Sequence, residues 1–76
     1  MGKRGVTAQR GKIRATRVEA GMSAATLAKR AQLSHGHLSN VERGVRAASP
    51  DVAGRIAAAL TAARGEPVTI CDLFAV

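Results

Sequence analysis

The chain is punctuated too often to form any long element. Residues that open or close helices recur along nearly its whole length: Gly21 and then Ser23, Ser34, Gly44, Ser49-Pro50-Asp51, Gly65, Pro67 and Thr69. A serine or threonine at a helix start accepts a hydrogen bond from an unpaired first-turn amide. A glycine just past a helix end takes the left-handed conformation that stops it. Between these marks, apolar residues recur at the three- and four-residue spacing of a helix face. The first helix is expected from about Thr7 to Ala20, with Ile13, Thr16 or Arg17, and Ala20 on one face. The second, Ala24 to Ala31, turns Leu27, Ala28 and Ala31 inward. After a tight Gln32-Leu33 connection, the third runs from His35 to about Arg43 with Leu38 and Val41 inward. The fourth starts at Pro50, a first-turn proline followed by an acid near the helix dipole, and runs to about Arg64 through Ala53, Ile56, Ala57 and Leu60. Thr69 with Asp72 reads as a capping box that opens a last short turn. No segment alternates with period two for long enough to be a strand. The expected fold is all-α, with five short helices.

Seventy-six residues make one domain with a thin core. Twelve Lys and Arg against five Asp and Glu leave +7 at pH 7. Six of those bases, Lys3, Arg4, Arg10, Lys12, Arg14 and Arg17, precede the first acid, Glu19. Gly2 and Gly5 break up the start, so residues 1–6 read as a flexible basic arm and residues 7–76 as the folded domain. An excess of this size calls for an anionic partner, either nucleic acid or a membrane surface. Phe74 is the lone aromatic residue, which leaves little room for base-stacking platforms or an aromatic-walled pocket.

Other chemistries find little support. There is no carboxylate pair, no Ser-His-Asp set and no metal-ligand spacing; His35 and His37 stand two apart, and such residues do not converge on a helix. Neither an enzyme, a metal, a cofactor nor a small-molecule substrate is expected. Gly5 to Lys12 fails as a phosphate-binding loop, because five residues separate its glycines and Ile13 replaces the metal-binding hydroxyl. The Met-Gly start has Val6 where an acylation signal needs Ser or Thr. No apolar run reaches the roughly 18 residues of a membrane span, and the basic start leads into no apolar signal stretch. Cys71, the single cysteine, rules out an internal disulfide and fits a reducing cytoplasm. It reads as a small buried apolar residue.

Three stretches resemble the Cro- and phage-repressor-type (XRE-like) helix-turn-helix family: Gly21-Met22-Ser23, Leu27-Ala28-Lys29-Arg30-Ala31-Gln32-Leu33-Ser34, and Leu38-Ser39-Asn40-Val41-Glu42-Arg43-Gly44. Ser49-Pro50, Ile56-Ala57-Ala58-Ala59-Leu60, Val68-Thr69 and Leu73-Phe74 extend the likeness over about residues 13–74. The resemblance implies a compact five-helix lambda-repressor-like DNA-binding domain. It implies a sequence-specific regulator of transcription on double-stranded DNA, a repressor or Cro-like protein of a phage or mobile element, with helix 35–43 in the major groove. Rival readings are an antitoxin or restriction-system controller, a non-sequence-specific architectural or recombination accessory protein, and an interaction module that has lost DNA binding.

By the same resemblance, Ser34, His35, Gly36, His37 and Asn40 are the base-reading positions. Asn40 can bond adenine through two hydrogen bonds, and His35 can donate to guanine. Ser23 with the first amides of its helix, Arg43, the Gly44 amide and Arg46 would hold phosphates, and Lys3, Arg4 and Arg10 would follow the backbone or enter the minor groove. Arg17 and Glu42 match a pair that the family uses as a structural ion pair. The chain departs from the family pattern at Ala24, where a Gln is usual, at Gln32, where the turn commonly has Gly, and at Gly36 inside the recognition helix. Val68, Leu73, Phe74 and Val76 exceed what one helical face would bury, which suggests a homodimer joined through the tail.

Overall fold

The computed structural model describes residues 5–75. In chain order the elements are β1 (Thr7–Ala8), α1 (Lys12–Glu19), α2 (Ala24–Arg30), α3 (His35–Glu42), α4 (Pro50–Arg64), α5 (Ile70–Leu73) and β2 (Phe74–Ala75). The last four helices begin where the sequence marks them. Ser23 Oγ accepts from the Thr26 amide at 3.1 Å, Ser34 Oγ from the His37 amide at 3.0 Å and Ser49 Oγ from the Val52 amide at 3.2 Å. Thr69 and Asp72 exchange both bonds of a capping box, Asp72 N to Thr69 Oγ1 at 3.2 Å and Thr69 N to Asp72 Oδ2 at 2.9 Å.

The first three helices end in one motif. Met22 N donates to Arg17 O, Leu33 N to Ala28 O and Val45 N to Asn40 O, each bond spanning the last turn from outside the helix. The residue just inside that bond must be left-handed. Gly21 and Gly44 take it at φ 72 and φ 74, and Gln32 takes it at φ 60 as the one non-glycine with positive φ among the described residues. The abrupt turn between α2 and α3 is therefore the motif of its neighbours with a side chain added.

The core forms from the inward faces that periodicity marks out. Ile13, Leu27, Ala28, Ala31, Leu38, Val41, Ala53, Ile56, Leu60, Leu73 and Phe74 are all buried in one cluster. Fully burying a Leu, Ile or Phe side chain contributes about 1.5–3 kcal/mol, so this cluster carries most of the stability of so small a domain. Ala28 and Ala31 in and just after α2, and Ala53 and Ala57 in α4, are small residues buried in the same cluster. Thr61 pins the closing loop to α4, its hydroxyl accepting from Val68 N at 2.9 Å and donating to Val68 O at 3.2 Å.

Four expectations are corrected at the termini. The first helix starts at Lys12, not Thr7, because Thr7 and Ala8 are held in a two-stranded antiparallel sheet with register Thr7↔Ala75 and Ala8↔Phe74. Val6 does not belong to a free arm either. Its amide donates to Ala48 O at 2.7 Å and its carbonyl accepts from Ala48 N at 2.8 Å. Gln9 completes the seam, with Nε2 donating to Cys71 O at 3.0 Å and Phe74 O at 3.1 Å. Cys71 is exposed rather than buried, since Leu73 takes the inward side of the single-turn α5 and a residue two positions away faces outward. The tail is also not in surplus: Val68, Leu73 and Phe74 are buried in the chain's own core, so they offer a partner nothing. Val76 lies outside the described residues, as do Lys3 and Arg4 and most of the expected arm.

Candidate nucleic-acid interface

Helix α3 turns one face to the core and leaves the other open. Leu38 and Val41 are buried. At 3.6 residues per turn, Gly36, Asn40 and Arg43 fall on the opposite side, with Ser39 at its flank; Ser39 and Asn40 are half-buried. His35 and Ser34 are exposed and His37 is half-buried at the edge. The expected base-reading residues thus share the N-terminal and outward part of one exposed helix. Ser34 spends its oxygen on the His37 amide and keeps its O–H to donate. A Cβ on Gly36 would meet nothing within 4 Å, so the protein itself does not require a glycine there. The spacing of Ser39 from Gly36 could have drawn it into the expected set.

Asn40 joins the open face to the loop beyond. Its backbone carbonyl accepts from Val45 N at 3.0 Å and Arg46 N at 3.2 Å. Its side-chain Oδ1 accepts from Arg43 Nη2 at 3.3 Å. Arg43, Gly44 and Arg46 are all exposed there, on a turn that the α3 end motif holds in place. Val45 is exposed at 68% on the same turn. It is an apolar side chain between arginines, and nothing in its local pattern singled it out.

At the start of α2, Ser23 is fully engaged: it caps the helix and also donates to Thr26 Oγ1 at 3.0 Å. The Thr26 hydroxyl beside it, absent from the expected set, is exposed. Arg10 lies in the turn ahead of α1, which Gly11 opens with no side-chain cap. Arg17 and Glu42, by contrast, face inward on each other at 3.1 Å with both side chains largely buried. Their partners are occupied, so they serve the architecture and not the ligand.

Among the described residues no group of three His, Cys, Asp or Glu side chains converges to hold a metal. No described helix is long and apolar enough to cross a membrane.

Two short helices joined by a left-handed turn, the second capped, exposed and flanked by arginines, define a helix-turn-helix DNA-binding domain. The sequence profile of the helix-turn-helix family matches residues 13–61, well over half of the chain. The chain belongs to that family, in its Cro/XRE type, whose members are DNA-binding transcription regulators rather than enzymes. Neither the curated proteins nor the solved structures yield a significant match.

Proposed function

We propose that this regulator is sequence-specific, that it reads the major groove of double-stranded DNA with α3, and that it acts as a repressor or Cro-like protein of a phage or mobile element in a bacterial cytoplasm. One observation carries the reading: the outward face of α3, from Ser34 to Asn40, is free of the core and ends in the exposed bases Arg43 and Arg46. In this reading Ser34, His35, Gly36, His37 and Asn40 meet base edges. The amides at the start of α2, Gly44 N, Arg10, Arg43 and Arg46 meet phosphates, and Lys3 and Arg4 add to the basic side of the interface.

A single such helix reads only a few base pairs, and one small domain makes few contacts. The regulator therefore binds as a two-fold dimer on DNA, with recognition helices about 34 Å apart on an inverted repeat. With Val68, Leu73 and Phe74 buried, the ground for this dimer is the contact requirement alone. Selection of bound sites from a random duplex pool, followed by salt titration and sedimentation on the selected site, tests the whole reading. A recovered inverted repeat, two chains per site and a fall in affinity of about 10³ to 10⁵-fold between about 50 and 200 mM salt are expected. Equal binding to every duplex would favour an architectural protein. One chain per site rules out the dimer, and no binding at low salt rules out the DNA role.

A further inference from the structure

A cleft of about 300 Å³ opens beside the recognition helix, lined by Arg10, Gly11, Arg14, Glu42 and Arg43. Arg10 comes from the turn before α1, Arg14 from its first turn and Arg43 from the end of α3, so two separate parts of the chain bring three arginines to one cleft. The lone carboxylate in the lining is already committed: both Glu42 oxygens accept from Arg17, at 3.1 and 3.3 Å. Among the described residues the ion pairs are those of Arg17, Arg55 and Arg64, which leaves Arg10, Arg14 and Arg43 without a carboxylate partner. Like charges gathered in one concavity repel. An anion seated between them turns that repulsion into attraction, and the flat guanidinium fork matches phosphate oxygens in pairs.

The cleft is continuous with the DNA face, because Arg43 lines it and also donates to Asn40 Oδ1 on the open side of α3. We propose that the cleft is a phosphate site that clamps one backbone phosphate of the duplex between α1 and the end of α3, with Arg14 as a contact residue alongside Arg10 and Arg43. This assignment rests on the DNA reading above. It places a phosphate anchor on the first helix, at the edge of the recognition surface.

The test uses Arg10→Gln and Arg14→Gln, singly and together, with Arg64→Gln as an equal loss of charge at the end of α4. Thermal melts first establish that each variant is folded. Each is then bound to a duplex of arbitrary sequence across a salt series. Removing one phosphate contact shallows the slope of log affinity against log salt by about 0.9 per chain. Because both arginines hold the same phosphate, the double variant should lose little more slope than either single one, while Arg64→Gln keeps the wild-type slope. A double variant that loses the sum of the two, or cleft variants that behave as Arg64→Gln does, would overturn the site and leave the DNA reading intact. A wild-type chain that binds no duplex overturns the DNA reading itself. The arginine Nε–H resonances of the cleft, followed with duplex and separately with inorganic phosphate, fix the source of the anion. Shifts with duplex at far lower concentration support the proposal, whereas shifts with inorganic phosphate alone overturn the DNA assignment.

Discussion

Arg17 and Glu42 stand 25 residues apart and meet as a two-pronged pair, Nε to Oε2 at 3.1 Å and Nη2 to Oε1 at 3.3 Å. Their side chains are 12% and 10% exposed, and the remaining arginine nitrogen donates to Met22 O at 3.3 Å. The pair thereby ties α1 both to the turn before α2 and to the last residue of the recognition helix. It fixes the angle at which α3 is presented.

Breaking one side of such a pair strands a nearly buried charge. Arg17→Met should destabilise the fold by up to about 3 kcal/mol, read by urea denaturation. Replacing Glu42 with Leu in the same chain should restore much of the loss, since apolar residues fill such a site without a desolvation cost. Losses that simply add in the double-mutant cycle would show that the two side chains do not interact.

Gln32 carries a side chain at φ 60 in a motif where Gly21 and Gly44 do the same task. The left-handed conformation costs a non-glycine residue roughly 1–2 kcal/mol, and the extra freedom of glycine in the unfolded chain returns part of that. Gln32→Gly should therefore raise stability by up to about 1 kcal/mol, visible as a higher melting temperature. A lower one would mean that the Gln32 side chain contributes more than its backbone strain removes.

Gly36 separates stability from binding. It lies in the exposed face of α3, where a Cβ would meet nothing within 4 Å, so Gly36→Ala should stabilise the helix by about 1 kcal/mol. If the helix approaches the groove closely at this point, the same change weakens binding to the selected site. A variant that is more stable and binds as well as wild type would place Gly36 away from the DNA.

Asn40 and Arg46 should fail in different ways. Asn40→Ala, like His35→Ala, should relax specificity at one base pair by about 1–3 kcal/mol while leaving arbitrary duplexes bound as before. Arg46→Ala should weaken all sequences alike and shallow the salt slope. Competition between selected and scrambled duplexes measures both. Equal loss on every duplex for Asn40→Ala would show that it meets phosphate, not a base.

Hydrogen bonds from the Thr69 backbone amide, and secondarily with the Thr69 side chain, hold the Asp72 carboxyl below its ordinary value of 3.8. A carboxylate with a depressed folded pKa stabilises the fold above its unfolded pKa and loses that contribution as pH falls through the folded one. Asp72→Ala should thus lower the melting temperature at neutral pH, and the gap to wild type should close as pH drops below about 3.8. A gap that persists in acid would show that the charge of Asp72 is not what secures the cap.

The helix boundaries and the core were legible in the residues themselves because both signals are local. Ser23, Ser34, Ser49 and Thr69 each bond an amide three residues on, and Gly21 and Gly44 each supply one backbone conformation at one place. Leu27, Leu38, Val41, Ile56 and Leu60 mark their faces by spacing alone. The open side of α3 followed directly, since whatever is not on the apolar face is outside. Tertiary structure decided what depends on residues far apart in the chain. Two-residue strands carry no periodic pattern, so only the meeting of Thr7 and Ala8 with Phe74 and Ala75 ended the expected first helix at Lys12. The same end of the fold pairs Val6 with Ala48 and buries Val68, Leu73 and Phe74 in the core. Arg10, Arg14 and Arg43 look like scattered surface charge until α1 packs beside the end of α3. Their convergence is a property of that packing, because local rules fix which way a helix faces but not what stands next to it.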